Sequence, residues 1–159
     1  MQIEKIIAAV LVRLKHWEKA KINIAQKDML TYDERLFTQA RTVRIQGIDQ
    51  AFFNILVSGE SHPYKSWLQK ATIYGIIIEL ELFDYGEPWL CYEQLGQIDY
   101  SVFSACGKRL IYVAETVICY QDVALIPPFS MLCKYHKQPL TSLASEAITK
   151  QKIKVRERK

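Results

Sequence analysis

Along the first stretch of the chain, apolar residues recur at helical spacing. Ile3, Ile7, Val10, Leu14 and Trp17 form one stripe, with Lys15, Lys19 and Lys21 off it. The pattern predicts a long first helix, which "NIAQKDML" interrupts. A second helix is expected to start at Thr31, where Glu34 completes a capping box. Leu36, Phe37, Ala40, Val43, Gly47, Ile48 and Ala51 carry it to about Val57, and Ser58–Pro63 is a turn. Trp67, Ala71, Tyr74, Ile78 and Leu82 keep three-four spacing, although "IELELF" in the same segment alternates as a strand does. Length and the apolar neighbours Ile73, Ile76 and Ile77 favour a buried central helix.

"DYGEPW" (Asp84–Trp89) and "QLGQID" (Gln94–Asp99) read as breaks. Val102, Cys106, Leu110, Val113, Val117, Tyr120 and Ala124 then form the longest helical stripe in the chain. The β-branched residues of "LIYVAETVICY" leave a strand open over 108–126, as "IELELF" does over 73–83. Pro127-Pro128 closes that element, and a last helix is expected over about Phe129–Lys152. The expected fold is all-α, an antiparallel bundle of about four to six helices with Trp17, Phe37, Trp67, Leu110 and Val117 in the core. One domain spans 1–159, or two closely packed lobes at 1–84 and 97–152, with a basic tail at 150–159.

Composition supports a folded body: half of the residues are hydrophobic and 11% aromatic, which excludes a disordered tail. The net charge of +4 is unevenly spread. Residues 1–49 carry +3, 50–104 carry −5 and 150–159 carry +5, a polarity that suits contact with a polyanion or an acidic peptide through the ends. Four cysteines without a CxxC, and three scattered histidines, lack zinc-ligand spacing. Most of the cysteines lie in apolar runs, where a thiol acts as a small hydrophobe, and free thiols imply a reducing compartment. "IIAAVLV" has Glu4 before it and no cleavage signal after it, so it is not read as a signal peptide. No segment approaches the roughly 18 apolar residues of a membrane span, and the protein is read as cytoplasmic.

Recognisable catalytic patterns are missing. The glycines are isolated, and there is no G-x-S-x-G, no HExxH and no cysteine–histidine pair with an orienting carboxylate. Glu79, Glu81 and Asp84 read as a solvated stripe. No enzyme activity, metal or cofactor is therefore expected. Arg35, Arg41 and Arg44 are either a solvated helix face or phosphate contacts. Lys108 and Arg109, with Tyr100 and Phe103, suit a cationic rim around an apolar pocket that takes a peptide's terminal carboxylate. Lys134 and Lys137 flank Tyr135 in a weaker cluster.

"YDERLF" (Tyr32–Phe37) resembles the aromatic-D-x-x-L-F signature of the primosomal replication protein N″ (PriC) family. "WLQKA", "QIDY" and "KRL" resemble further elements in family order, with "KRL" lying farther past "QIDY" than the family pattern allows without a gap. The resemblance implies a non-enzymatic replication-restart factor. Such a factor binds the acidic C-terminal tail of single-stranded DNA-binding protein, contacts single-stranded and forked DNA, and assists loading of the replicative helicase. On that reading Arg109, Lys108, Tyr100 and Phe103 hold the tail, with Lys134 or Lys137 standing where the family's second arginine has no match. The basic ends supply the DNA contacts: Arg35, Arg41, Arg44, Lys150, Lys152, Lys154, Arg156 and Arg158. Two alternatives remain: a small helical adaptor or chaperone that binds another protein, and a small α/β enzyme whose strands lie in 73–83 and 108–126.

Overall fold

The computed structural model describes residues 1–83 and 88–159. The first helix forms where its stripe places it, as α1 (Gln2–Lys19). The expected all-α bundle does not form. Instead, the described residues build a seven-stranded mixed sheet whose strands lie side by side in chain order.

Thr31 opens no helix. Gln26–Thr31 and Glu34–Thr38 are short 3-10 turns, and Asp33 caps the second by accepting from the Arg35 backbone N–H at 3.0 Å. β1 (Lys21–Ala25) precedes them and β2 (Thr42–Ile48) follows. The β2 sequence alternates apolar and polar with period two, so Val43 and Ile45 bury on one face while Arg44 and Gln46 take the other. Helix resumes only at α2 (Gln50–Val57), where the Asp49 carboxylate accepts from the Phe52 N–H at 2.8 Å. α3 (Pro63–Ile73) starts with Pro63 in its first turn and ends before Gly75, whose φ of +76° turns the chain into β3 (Ile77–Leu82).

The stripe from Val102 to Ala124 divides into three elements. These are β4 (Ser101–Phe103), β5 (Arg109–Tyr112) and a short helix (Tyr120–Ala124). Another short helix, α4 (Tyr92–Leu95), comes before β4, so Tyr120–Ala124 is α5. The expected last helix is in fact β6 (Met131–Tyr135), α6 (Ser142–Lys150) and β7 (Lys154–Arg158). Of the expected core, Phe37, Trp67 and Leu110 are buried and Trp17 packs against them, but Val117 is 44% exposed. Within the break at 84–89, residues Asp84 to Glu87 lie outside the described residues, and so does the Asp84 member of the carboxylate stripe.

Every neighbouring pair of strands is parallel except β4 and β5, which form an antiparallel hairpin. That one reversal decides which face is covered. Right-handed crossovers that advance in one direction along a sheet lie on one face while the strands point one way, and on the other face once they are reversed. Accordingly α2, α3 and α4 pack on a first face, where Ile45, Leu80, Val102 and Leu110 share a core with Phe52, Phe53, Leu68 and Tyr92. Past the hairpin, α5 and α6 pack on the second face, where Leu132 joins Ile118, Val123, Ala144 and Ile148 in a separate cluster. No described helix covers the second face over β1–β4. Parallel sheets usually have both faces covered.

Candidate functional site

Three places hold side chains that packing alone does not use. The first is α1. Its C-terminal end is fixed: the Trp17 indole N–H donates to the Phe37 carbonyl at 2.9 Å, and backbone bonds run from Arg41 N to Trp17 O and from Thr42 N to Ala20 O. Beyond this anchor the helix has no buried residue. Ile3, Ile6, Ile7, Val10, Leu11 and Leu14 are all exposed, Ile7 at 53%. Beside the anchor, Val10, Leu14, Trp17, Phe37, Thr38 and Gln39 line a groove of about 860 Å³.

The second is the bare half of the sheet. Strand register brings Lys21, Arg44, Glu79, Glu81 and Phe103 onto one face. Glu79 accepts from the Lys21 ammonium at 2.5 Å and from Arg44 Nε at 2.8 Å. Arg44 Nη1 also reaches Glu81 at 3.2 Å, and Gln46 Nε2 donates to Glu81 at 3.1 Å. The Arg44 guanidinium lies over the Phe103 ring, 4.1 Å from its centroid. Burial pushes the Glu79 carboxyl up, but the Lys21 and Arg44 hydrogen bonds and charges outweigh it and hold the group below the usual carboxylate range. Two cations and two carboxylates compensate one another, so this face offers a ligand little net field.

The third is a tyrosine cluster around α4. Glu93 Oε2 accepts from the Cys91 thiol at 2.8 Å and from the Tyr135 hydroxyl at 2.6 Å, which holds Glu93 below its ordinary range. Burial and the Glu93 hydrogen bond push Tyr135 well above the usual tyrosine range, so it keeps its proton at neutral pH. Tyr92 and Tyr112 pack against Tyr135, and the Arg158 guanidinium lies 4.8 Å from the Tyr92 centroid. All four cysteines are free, and Cys91, Cys106 and Cys119 are exposed rather than acting as core hydrophobes, leaving only Cys133 buried. Among the described residues no group of three or more histidines, cysteines and carboxylates could hold a metal ion.

The residues expected to grip a peptide tail are dispersed. Tyr100 and Arg109 do line one shallow pocket of about 220 Å³. Lys108 turns away to the Phe129 carbonyl at 3.3 Å, and Phe103 lies under Arg44. Lys134 is 4% exposed and ion-paired with Glu157, while Lys137 sits over the Tyr135 ring at 5.8 Å. The arginines grouped as one helix face are equally scattered. Arg35 lies in a 3-10 turn beside Asp33, Arg41 just before β2, and Arg44 in the sheet ladder. Of the basic tail, Lys150 ends α6 and Lys152 contacts the Phe129 ring. Lys154, Arg156 and Arg158 alternate along β7, an edge strand whose charges discourage further pairing. The α1 stripe was visible in the sequence, but whether anything covers it was not. The Cys91–Glu93–Tyr135 cluster gave no signal, because Tyr135 lies more than 40 residues from Cys91 and Glu93.

Fold and surfaces together define a small mixed α/β protein with a half-covered sheet and a projecting amphipathic helix. The chain belongs to the PDU_like family, described as "Putative propanediol utilisation", whose model matches residues 5–154. No curated protein and no solved structure matches it. The family overturns the resemblance to primosomal replication protein N″ and the replication-restart function drawn from it. Of the two alternatives, the helical adaptor has the wrong fold, and the α/β protein has the right one. Among the described residues no helix is long and apolar enough to cross a membrane.

Proposed function

We propose that this chain is a non-catalytic docking protein of propanediol utilisation that binds protein through α1. The observation that supports the reading is the length of uncovered apolar stripe on an anchored helix. An isolated helix of this size is marginal in water, and a packing face normally supplies the missing stability. Covering the stripe removes on the order of 500 Å² of apolar surface, worth about 12 kcal/mol before the costs of association are subtracted. The family match begins at Lys5, so nearly all of α1 belongs to the region that defines the family.

The test is growth on propanediol in a host that depends on this chain. The variant Ile3→Gln/Ile7→Gln/Val10→Gln keeps helix propensity but removes the apolar stripe. It is expected to leave the thermal melt of the sheet within a few degrees of the parent and to abolish the growth advantage. Growth equal to the parent would refute the docking reading.

A second reading, an enzyme, draws on the Cys91–Glu93–Tyr135 cluster. Its chemistry is unfavourable, because hydrogen bonds hold Glu93 below its ordinary range, which makes it a weak base, while burial and that carboxylate push Tyr135 up and so oppose a tyrosinate. Loss of growth in Cys91→Ala or Tyr135→Phe, with the fold intact, would favour it.

A further inference from the structure

We infer that α1 pairs antiparallel with the α1 of a second copy of this chain. The inference rests on the docking reading above and names the occupant of the stripe. It comes from three features of the helix itself.

The first is shape. The N-terminal half of α1 presents Ile3 and Ile7 as a free ridge, while the C-terminal half forms one wall of the groove beside Trp17 and Phe37. A two-fold axis near the middle of the helix lays each ridge into the other copy's groove, an isologous contact made twice. Ile3 then lies opposite Leu14 of the second copy, and Ile7 opposite its Val10.

The second is charge. At 100° per residue, Glu4 and Lys15 fall on the same flank of the stripe. In the antiparallel pair like flanks meet, so Glu4 of each copy comes level with Lys15 of the other to within one helical turn. A parallel pair would instead have to bring Arg13 to Glu18. That meeting falls at the level of Trp17, where each copy's own 37–39 segment already occupies the seam. The charges and the anchor therefore select the same direction.

The third is area. Six aliphatic side chains, each about half exposed or more, bury on the order of 1,000 Å² over both copies, with the groove adding to this. That lies at the lower limit for a specific interface and points to a dimer of micromolar affinity.

Sedimentation equilibrium of the full chain between about 1 and 100 µM tests it. The parent is expected to shift from its 18.5 kDa monomer to twice that mass. Ile7→Gln should stay monomeric throughout. Glu4→Lys or Lys15→Glu alone should weaken pairing about three- to tenfold. An equimolar mixture of the two should restore it to within about twofold. In the mixed dimer the introduced lysine faces the introduced glutamate, and the unaltered Lys15 of one copy faces the unaltered Glu4 of the other. A parent that stays at 18.5 kDa, or a dimer indifferent to Ile7→Gln, overturns the inference. Single charge variants that pair like the parent overturn the antiparallel register. A monomeric parent whose triple α1 variant still loses growth removes the second copy and leaves the docking reading standing.

Discussion

Arg44 shows how the bare sheet face keeps its charges out of trouble. Its side chain is 16% exposed, clamped between the two glutamates of β3 and stacked on Phe103. Arg44→Ala leaves Glu79 and Glu81 on one face with Lys21 and Gln46 as the remaining donors. Exposed ion pairs contribute under about 1 kcal/mol, and breaking a fully buried one costs about 3–5 kcal/mol. This half-buried network should lie between, near 2 kcal/mol, measured by urea unfolding at pH 7. The network also fixes a pH dependence. Because folding lowers the Glu79 pKa, its contribution is complete above the usual 4.5 and is lost as pH falls through the lower folded value. Stability should therefore be flat from neutral pH to about 5 and fall in acid, and Glu79→Gln should make the acid limb shallower. An unchanged acid limb would show that other carboxylates carry it.

Among the elements, α1 was legible and the strands were not, and the reason lies in arithmetic. A step of four residues keeps a side chain on the same face of both a helix and a strand, and only a step of three tells them apart. Ile78 to Leu82 is such a step, and both bury on the first face of β3. Val102 to Leu110 is two of them, and those residues are cross-strand partners in the hairpin. Ala71 to Tyr74, a step of three, does lie at the end of true helix. Leu110 to Val113, also a three, instead crosses from one face of the sheet to the other, since Leu110 packs in the first core and Val113 against the second. The candidate tail residues were dispersed by the same change of element, because Arg109 and Lys108 belong to a hairpin rather than to a helix edge. Gly75 was the overlooked punctuation. Its φ of +76° leaves room for a Cβ but not the backbone conformation for one. Gly75→Ala should cost about 1 kcal/mol in a thermal melt, through strain alone. A cost near zero would mean that the turn re-forms without a left-handed residue.

At the scale of the whole molecule, one antiparallel hairpin hands the helices from one face of the sheet to the other, and α1 stands outside both cores. The body is held by its two hydrophobic clusters. Among the described residues, α1 is held at Trp17 and by the backbone bonds at its C-terminal end. Local opening of α1 should therefore be nearly free in the lone chain and costly when the stripe is covered. Hydrogen exchange along the full chain at several protein concentrations reads this directly. Amides of residues 6–16 are expected to exchange fast in dilute protein and become protected as concentration rises, while amides of β2, β3 and β6 stay protected throughout. Residues 6–16 protected equally at every concentration would mean that the chain covers its own stripe, and would contradict the claim that α1 is a docking element.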